Sequence, residues 1–198
     1  TEKITQNIII CERCKSVIEP LISSQWFINV SDLKKVKDDV EIIPENMWDN
    51  FRRWMENLRD WPVSRQLWWG YRLPVWYKGI REEFVNEMGE VREMISNVEL
   101  KAENFNDLVK VQLESPGEGW NQDPDVLDTW FSSGQWPYAT LMAREGDFEK
   151  YYPTQLLETS YDILYLWVSR MVMLGQYRTG ISPFEKVYLH GLITDDKG

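Results

Sequence analysis

The sequence contains no stretch of about 18 apolar residues and no signal peptide. These two absences predict a soluble, cytoplasmic protein that does not bind a membrane. A Gly-rich phosphate loop is also missing, which argues against a generic nucleotide-binding domain of unrelated chemistry.

Basic residues are also fewer than acidic residues. The chain has 22 Lys and Arg residues against 32 Asp and Glu residues, so its net charge is −10. A free-standing nucleic-acid-binding domain usually has the opposite balance. The average charge therefore argues against the chain alone as an RNA-binding module, while RNA contact through a local patch or through further domains stays open.

Cysteine is limited to Cys11 and Cys14, which form a Cys-x-x-Cys. In a reducing compartment this spacing is typical of half a zinc site or of a redox pair. No second cysteine pair is present, and the only histidine, His190, is distant in the sequence. Two thiols without metal on a tight turn are an equally good interpretation. A complete zinc site would need ligands from outside this chain.

What the sequence does contain is apolar and aromatic. Hydrophobic residues make up 43% of 198 residues, enough for a sizeable core and one domain or somewhat more. Eleven tryptophans are many for this length, so we expect some of them to line a surface or pocket. The first residue is not Met and the last residues finish no structural element, so we expect an excerpt from a longer polypeptide.

Local patterns predict short strands in residues 1–30 and a charged surface helix or loop over 31–42. A helix is predicted after Pro44, because apolar residues recur there at three-to-four spacing. Residues 64–77 are interpreted as a turn into a strand. Farther on, 81–95 is predicted as a helix and 108–113 as a strand.

The last third gives the clearest pattern. A strand over 155–159, a buried helix over 163–174 with Asp162 as its N-cap, and a strand over 185–191 form a βαβ unit. Such a unit implies a parallel sheet, and ligands bind such sheets at the carboxyl ends of the strands. The pattern therefore places 159–163 and 190–194 at the mouth of a site.

Three longer stretches are more specific than any single short motif. They are DWPVSRQLWWGYRLPVWY at 60–77, QDPDVLDTWFSSG at 122–134, and YDIL at 161–164 with Trp167, followed by VYLHGL at 187–192. Together they resemble the class I aminoacyl-tRNA synthetases of the valyl type. The isoleucyl type tends to carry DVWFDSG in place of this chain's DTWFSSG.

The resemblance implies an α/β fold, the second half of a Rossmann-like catalytic domain. Residues 1–43 would be the returning end of the family's β-rich editing insertion with a connector, and 44–77 a helix and the segment returning to the catalytic domain. Residues 78–122 would be a small α+β insertion, and 123–198 the second Rossmann half. Many relatives bind zinc through cysteine pairs in the small insertion, and 78–122 has no cysteine.

The resemblance also implies an activity, in which valine and ATP give valyl-adenylate and the valyl group then passes to tRNA(Val). ATP would act with Mg²⁺, and the full-length enzyme would be a monomer. The family's His-x-Gly-His cannot be present with His190 alone, and its Lys-Met-Ser-Lys-Ser would follow Gly198. The isolated chain is therefore expected to be inactive.

Valine would be held by Trp130, Ile163 and Trp167, by resemblance. Rigid rings suit a dry slot for a small branched side chain, and Trp167 follows Ile163 by four residues on one helix face. From spacing alone, the two tryptophans could equally be core aromatics.

The ATP site would use Ser160, Asp162, His190 and Gly191, by resemblance. Asp162 would meet the ribose, and His190 and Gly191 would lie beside the adenine. The family usually has Gly at position 160, so Ser160 is a departure that adds a side chain near the nucleotide.

Arg65, Gln66, Trp68 and Trp69 form the return to the catalytic domain. A structural role or contact with the end of the tRNA fits them, with the structural role favoured. Two alternatives stay open for the whole chain. These are an isoleucyl- or leucyl-type synthetase and a non-catalytic, synthetase-derived module that binds a ligand or tRNA.

Overall fold

The computed structural model describes residues 7–12, 14–19, 25–78, 81–85, 91–95 and 105–195, with backbone alone for 81–85, 91–95 and residue 105. Parts of the strands predicted in 1–30 and of the insertion predicted at 78–122 lie outside these ranges. The elements in chain order are β1 Phe27–Ile28, β2 Glu41–Ile43, α1 Asn46–Glu56, β3 Trp61–Pro62, β4 Ser64–Arg65, β5 Val75–Lys78, β6 Arg81–Val85, β7 Val91–Ile95, α2 Phe105–Leu108, β8 Val109–Val111, β9 Trp120–Gln122, β10 Val126–Leu127, α3 Thr129–Met142, α4 Asp147–Tyr151, β11 Thr154–Ser160, α5 Ser169–Thr179 and β12 Phe184–His190.

A parallel sheet in the order β11-β12-β2 organises the fold. The predicted βαβ unit is confirmed, with each strand within one residue of its predicted bounds. Strand β2 was not predicted, and the surface helix or loop expected over 31–42 is wrong at residues 41 and 42. Ile42 is buried in the core, so parallel pairing with β12 outweighs the charge around it.

The segment between β11 and α5 is less regular than the single helix predicted from residue 163. Residues Tyr161–Ile163 form a 3₁₀ turn, and Leu164–Val168 form a π-helical turn that continues into α5. The N-cap prediction for Asp162 is wrong, because β11 runs through Ser160 and the cap position falls there. The prediction that this segment is buried is confirmed, since Leu164, Val168 and Met171 are inaccessible to solvent.

Helix α1 covers part of the sheet and confirms the helix predicted after Pro44. Phe51 and Met55 are buried, and Phe51 stacks on Trp48 with ring centroids 5.6 Å apart. The helix packs against β2 and the π-helical turn. The apolar face read from the three-to-four spacing is therefore the face that meets the sheet.

Helix α3 packs against α5 and was not predicted, because Gly134 and Pro137 weaken its helical pattern. Asp128 caps it, since its Oδ1 accepts from the Trp130 backbone N–H at 3.2 Å. Close helix crossing depends on Gly134, where a Cβ would lie 3.1 Å from the Arg170 Cβ and 2.9 Å from a Leu174 methyl. The glycine thus sets the spacing of the two helices.

In and just before the segment predicted as an insertion, β5, β8 and β9 form one antiparallel sheet, and β6 and β7 form a hairpin. The strand predicted over 108–113 is confirmed at Val109–Val111. The helix predicted over 81–95 is wrong, because Arg81 pairs with Ile95 and Val85 with Val91. Charge alone does not separate a helix from two short strands. None of the described helices combines the length and apolar character that crossing a bilayer requires.

Candidate active site at the carboxyl edge of the parallel sheet

The four residues predicted to meet ATP lie together at the carboxyl edge of the sheet. Ser160 and His190 are register partners at the ends of β11 and β12. The Ser160 hydroxyl donates to Oδ1 of Asp162, and Nδ1 of His190 lies 2.8 Å from the carbonyl oxygen of Gly191. Parallel pairing explains this arrangement, because it aligns the carboxyl ends of neighbouring strands.

Ser160 and Gly191 differ in their contacts within this chain. Ser160 is half-buried and engages Asp162, so its side chain is held beside the carboxylate instead of pointing freely into the site. At Gly191, an added Cβ would find no heavy atom within 4 Å among the described residues. The role of this glycine in nucleotide approach stays a prediction.

The two predicted indoles lie on neighbouring elements, Trp130 on α3 and Trp167 on the π-helical turn that precedes α5. The Trp167 Nε1–H donates to the carbonyl oxygen of Ser133 at 3.3 Å, one helical turn beyond Trp130. Both tryptophans are half-buried against the core. Ile163 is half-buried at the end of the 3₁₀ turn, between the sheet edge and Trp167. All three residues predicted for the valine pocket therefore lie on neighbouring elements.

Two hollows of about 250 and 150 Å³ occur elsewhere on the surface. The larger is lined by residues of β2 and α1, including Glu41 and Trp48. The smaller lies between the segment at Asp32 and the α5 residue Gln176. Neither hollow is lined by any of the three predicted valine-pocket residues.

The residues of the predicted return segment divide into two kinds. Arg65 forms an ion pair with Asp128 at 2.8 Å, and Gln66 donates to Oδ2 of Asp125 at 2.6 Å. Both are therefore held by the chain itself. Trp68 and Trp69 are exposed.

Sequence reasoning missed a buried polar group beneath the indoles, formed by Trp61, Asp128 and Arg170. The Trp61 Nε1–H donates to Oδ2 of Asp128 at 2.9 Å, and the Arg170 guanidinium lies 4.4 Å from the centre of the Trp61 ring. Burial lowers the pKa of Arg170, and the negative charge of Asp128 opposes that shift. A charged residue inside an otherwise apolar helix was the available signal.

A second missed group ties the N-terminal segment to Tyr77 and Asp123, the residues on either side of the predicted insertion. Trp26 donates through Nε1 to the Tyr77 hydroxyl at 2.8 Å and to Asp123 at 3.0 Å, and the Tyr77 hydroxyl donates to the same carboxylate at 2.8 Å. Burial and the hydrogen bond to Asp123 raise the pKa of Tyr77 above its ordinary value. These contacts join segments far apart in sequence, which no local pattern reveals.

Cys11 and Cys14 lie on a tight turn between Ile10 and Val17, which pair across an antiparallel bridge. Lys15 has a φ of 62°, in the left-handed region. Both thiols are free, and hydrogen bonds with Ser16 lower the pKa of Cys14 to about 7. Soft thiolate donors on a turn suit half a zinc site. Within the described ranges, however, no cluster of three or more His, Cys, Asp or Glu side chains could hold a metal ion.

The lowered pKa predicts that Cys14 reacts with iodoacetamide at neutral pH. Because the thiolate forms above the pKa, its alkylation rate should rise with a midpoint near pH 7, as measured by mass spectrometry of the modified peptide. Ser16→Ala removes the largest cause of the shift and should move the midpoint to higher pH. An unchanged profile in that variant would contradict the assignment of the cause to Ser16.

Comparison with known proteins places this geometry in a family. The model of the family "tRNA synthetases class I (I, L, M and V)" matches residues 7–198. The chain is 42% identical to the valine–tRNA ligase of Dehalococcoides mccartyi (strain CBDB1), over 95% of the chain and 20% of the relative. It is 41% identical to that of Bacillus licheniformis and 42% identical to that of Lactococcus lactis subsp. lactis, over 100% and 94% of the chain.

The chain spans about a fifth of the length of these curated relatives. A solved structure, the LeuRS of Agrobacterium radiobacter K84 in a ternary complex with tRNA and LeuAMS, is 18% identical. It matches 71% of this chain and 21% of its own chain, with a TM-score of 0.45. The family model covers nearly every residue, and the α/β architecture with its parallel sheet agrees with it. The chain therefore belongs to the class I tRNA synthetases (I, L, M and V).

Proposed function

We propose that this chain is part of a valine–tRNA ligase and contributes the amino-acid pocket and part of the adenosine site. The observation that carries the proposal is the 40–42% identity to valine–tRNA ligases across nearly the whole chain. The hydrogen bond from the Trp167 indole to the Ser133 carbonyl oxygen, on the helix that carries Trp130, supports it. The remaining pocket walls come from parts of the longer protein outside this chain.

In the proposed reaction, the valine carboxylate attacks the α-phosphate of ATP, which gives valyl-adenylate and releases pyrophosphate. A terminal hydroxyl of tRNA(Val) then accepts the valyl group. No covalent nucleophile on the protein is needed, so the enzyme acts by positioning reactants and stabilising charge. Trp130, Ile163 and Trp167 bind the aliphatic side chain between rigid apolar walls.

The adenosine half of ATP binds at the ends of β11 and β12. Asp162 is exposed there and its carboxylate accepts hydrogen bonds from the ribose hydroxyls. His190 and Gly191 lie beside the adenine, and Ser160 orients Asp162 through its hydroxyl. Mg²⁺ would neutralise phosphate charge when bound, and Asp162 is one acidic side chain exposed at this edge.

Further features follow from the same proposal. The full-length protein is cytoplasmic and monomeric, and it carries an editing domain whose returning end is residues 1–43. The boundaries at 43, 77 and 122 stay predictions, and the pairing of Glu41–Ile43 in the parallel sheet indicates that the catalytic sheet begins before Pro44. Cys11 and Cys14 supply two of four ligands if zinc binds, and exposed Trp68 and Trp69 contact the tRNA end.

The direct test is amino-acid-dependent exchange of pyrophosphate into ATP by the full-length protein. Valine should support exchange at least about a hundredfold better than isoleucine, since a slot sized for valine excludes the extra methylene and adds steric cost. The isolated 198-residue chain should support none. Exchange with isoleucine but not valine would overturn the specificity, and no exchange with any amino acid would favour a non-catalytic module.

A further inference from the structure

We propose that Arg170, Trp61 and Asp128 act together as positioning residues for the valine pocket, holding the start of α3, and with it Trp130, at a set distance from Trp167. This inference rests on the proposed function, which assigns the two indoles to valine. None of the three positioning residues is proposed to touch valine or ATP.

Arg170 is the unusual member of the group, because a charged side chain that is only 7% exposed lies in the most deeply buried helix. Its Nη1 has no hydrogen-bond partner among the described residues. The direct ion pair to Asp128 is made by Arg65 instead. A buried guanidinium with an unpaired N–H is destabilising relative to an apolar side chain of similar size. Stability therefore does not account for this arginine.

Trp61 connects the arginine to the start of α3. Its ring lies under the guanidinium, its Nε1–H binds Asp128, and its ring is 6.1 Å from that of Phe131. Asp128 in turn accepts from the backbone N–H groups of Trp130, through Oδ1, and of Phe131, through its carbonyl oxygen. The orientation of the first turn of α3 thus depends on where Asp128 is held.

Arg170 also lies at the point where α3 and α5 cross. Its Cβ would be 3.1 Å from a Cβ at Gly134, one turn beyond Trp130, and it is itself one turn beyond Trp167. Arg170 therefore packs closely on α3 at Gly134, and its guanidinium stacks on Trp61, which binds the cap residue Asp128. The two indoles are attached to the two elements that this residue joins.

A displacement at this crossing should affect valine and spare ATP. The proposed ATP residues lie at the ends of β11 and β12 and in the turn after β11, and their hydrogen bonds within the described ranges join them to one another. Small misplacements of a binding group cost large factors in affinity and rate. The expected signature is therefore a change in KM for valine alone.

The test uses pyrophosphate exchange by the full-length protein carrying Asp128→Asn or Arg170→Met. Asp128→Asn keeps an Oδ1 acceptor for the Trp130 N–H and removes the charge. Gln176→Ala is the matched control, because Gln176 lies on the same helix and binds Asp39 and Ser182 at the far end from the crossing. Arg170→Lys, which keeps the charge, is the second variant should Arg170→Met fail to fold.

Both charge-removing variants should raise the KM for valine about tenfold or more, with the KM for ATP within about twofold. Arg170→Met should leave the melting temperature unchanged or raise it, because it removes a buried charge whose Nη1 has no hydrogen-bond partner among the described residues. The double variant should lose less than the product of the single losses, since the residues act as one unit. The control should change neither KM.

Two other outcomes would overturn the inference, and they are distinguishable. If the unaltered protein exchanges with valine but the variants raise both KM values equally, or lower only the melting temperature, the group is structural and the proposed function stands. If the unaltered protein shows no valine-dependent exchange, the proposed function fails and this inference fails with it.

Discussion

Replacing Trp167 by alanine in the full-length protein is expected to raise the KM for valine by about 100-fold, which corresponds to about 2.8 kcal/mol of lost binding free energy, because the indole forms one wall of the proposed pocket. The KM for ATP should stay within about threefold, since the ATP residues lie at the ends of β11 and β12 and in the 3₁₀ turn, whereas Trp167 lies on the π-helical turn. Trp167 is half-buried, and its indole reaches α3 through the Ser133 carbonyl oxygen. Pyrophosphate exchange at varied valine and ATP concentrations measures both constants.

A matched control for this variant is Trp136→Ala. Trp136 lies on α3 as Trp130 does, and it is 50% exposed. Its removal should leave the KM for valine unchanged within about twofold, because an exposed side chain away from the pocket contributes little. Equal loss of valine and ATP binding in Trp167→Ala would mean that this tryptophan only maintains the fold.

Replacing Phe51 by alanine is expected to lower the free energy of unfolding of the 198-residue chain by about 3–5 kcal/mol. Phe51 is completely buried and stacks on Trp48, in the helix that covers β2 and the π-helical turn. Deleting the ring leaves a cavity between helix and sheet that rigid secondary structure cannot fill. Urea denaturation followed by tryptophan fluorescence measures the change.

Arg52→Ala provides the comparison at the next position of the same helix. Arg52 is exposed, so its replacement should change the free energy of unfolding by less than about 0.5 kcal/mol. A loss below about 1 kcal/mol in Phe51→Ala would contradict the docking of α1 on the sheet, because a fully buried ring costs more than that to remove.

Much of the fold could be predicted where local periodicity and burial agree. The strands on either side of α5 were predictable because both are short apolar runs separated by a helix-length segment, and parallel strands need such a crossover. The helix at α1 was predictable from its apolar spacing. By contrast, the charged residues of β6 and β7 predict a helix, because charged residues occur in both structures and the pattern does not reveal the pairing of Arg81 with Ile95 or of Val85 with Val91.

The residues of the candidate site could be predicted from the sequence, but the contacts that hold them in place could not. Resemblance to the valyl type marked Trp130 and Trp167, and parallel topology explains why residues at 160 and 190 meet. Asp128 lies 67 residues from Trp61, and Arg170 stands out in the sequence only as a charge in an apolar helix, so their contacts with Trp61 could not be predicted. The sequence shows that Ser160 stands where the family usually has Gly. Its hydrogen bond to Asp162 could not be predicted, because it depends on the turn that follows β11.

The sequence by itself determined the family, the strand–helix–strand core and the residue types that suit a small aliphatic amino acid and a nucleotide. Those properties depend on local periodicity and on motifs, which are contiguous in the chain. Only the tertiary structure decided that α3 and α5 cross at Gly134, that β2 joins the parallel sheet, and that a buried arginine lies beside the cap of α3. These features arise from packing between distant segments, whose free energy is set by distances and burial that no stretch of sequence contains.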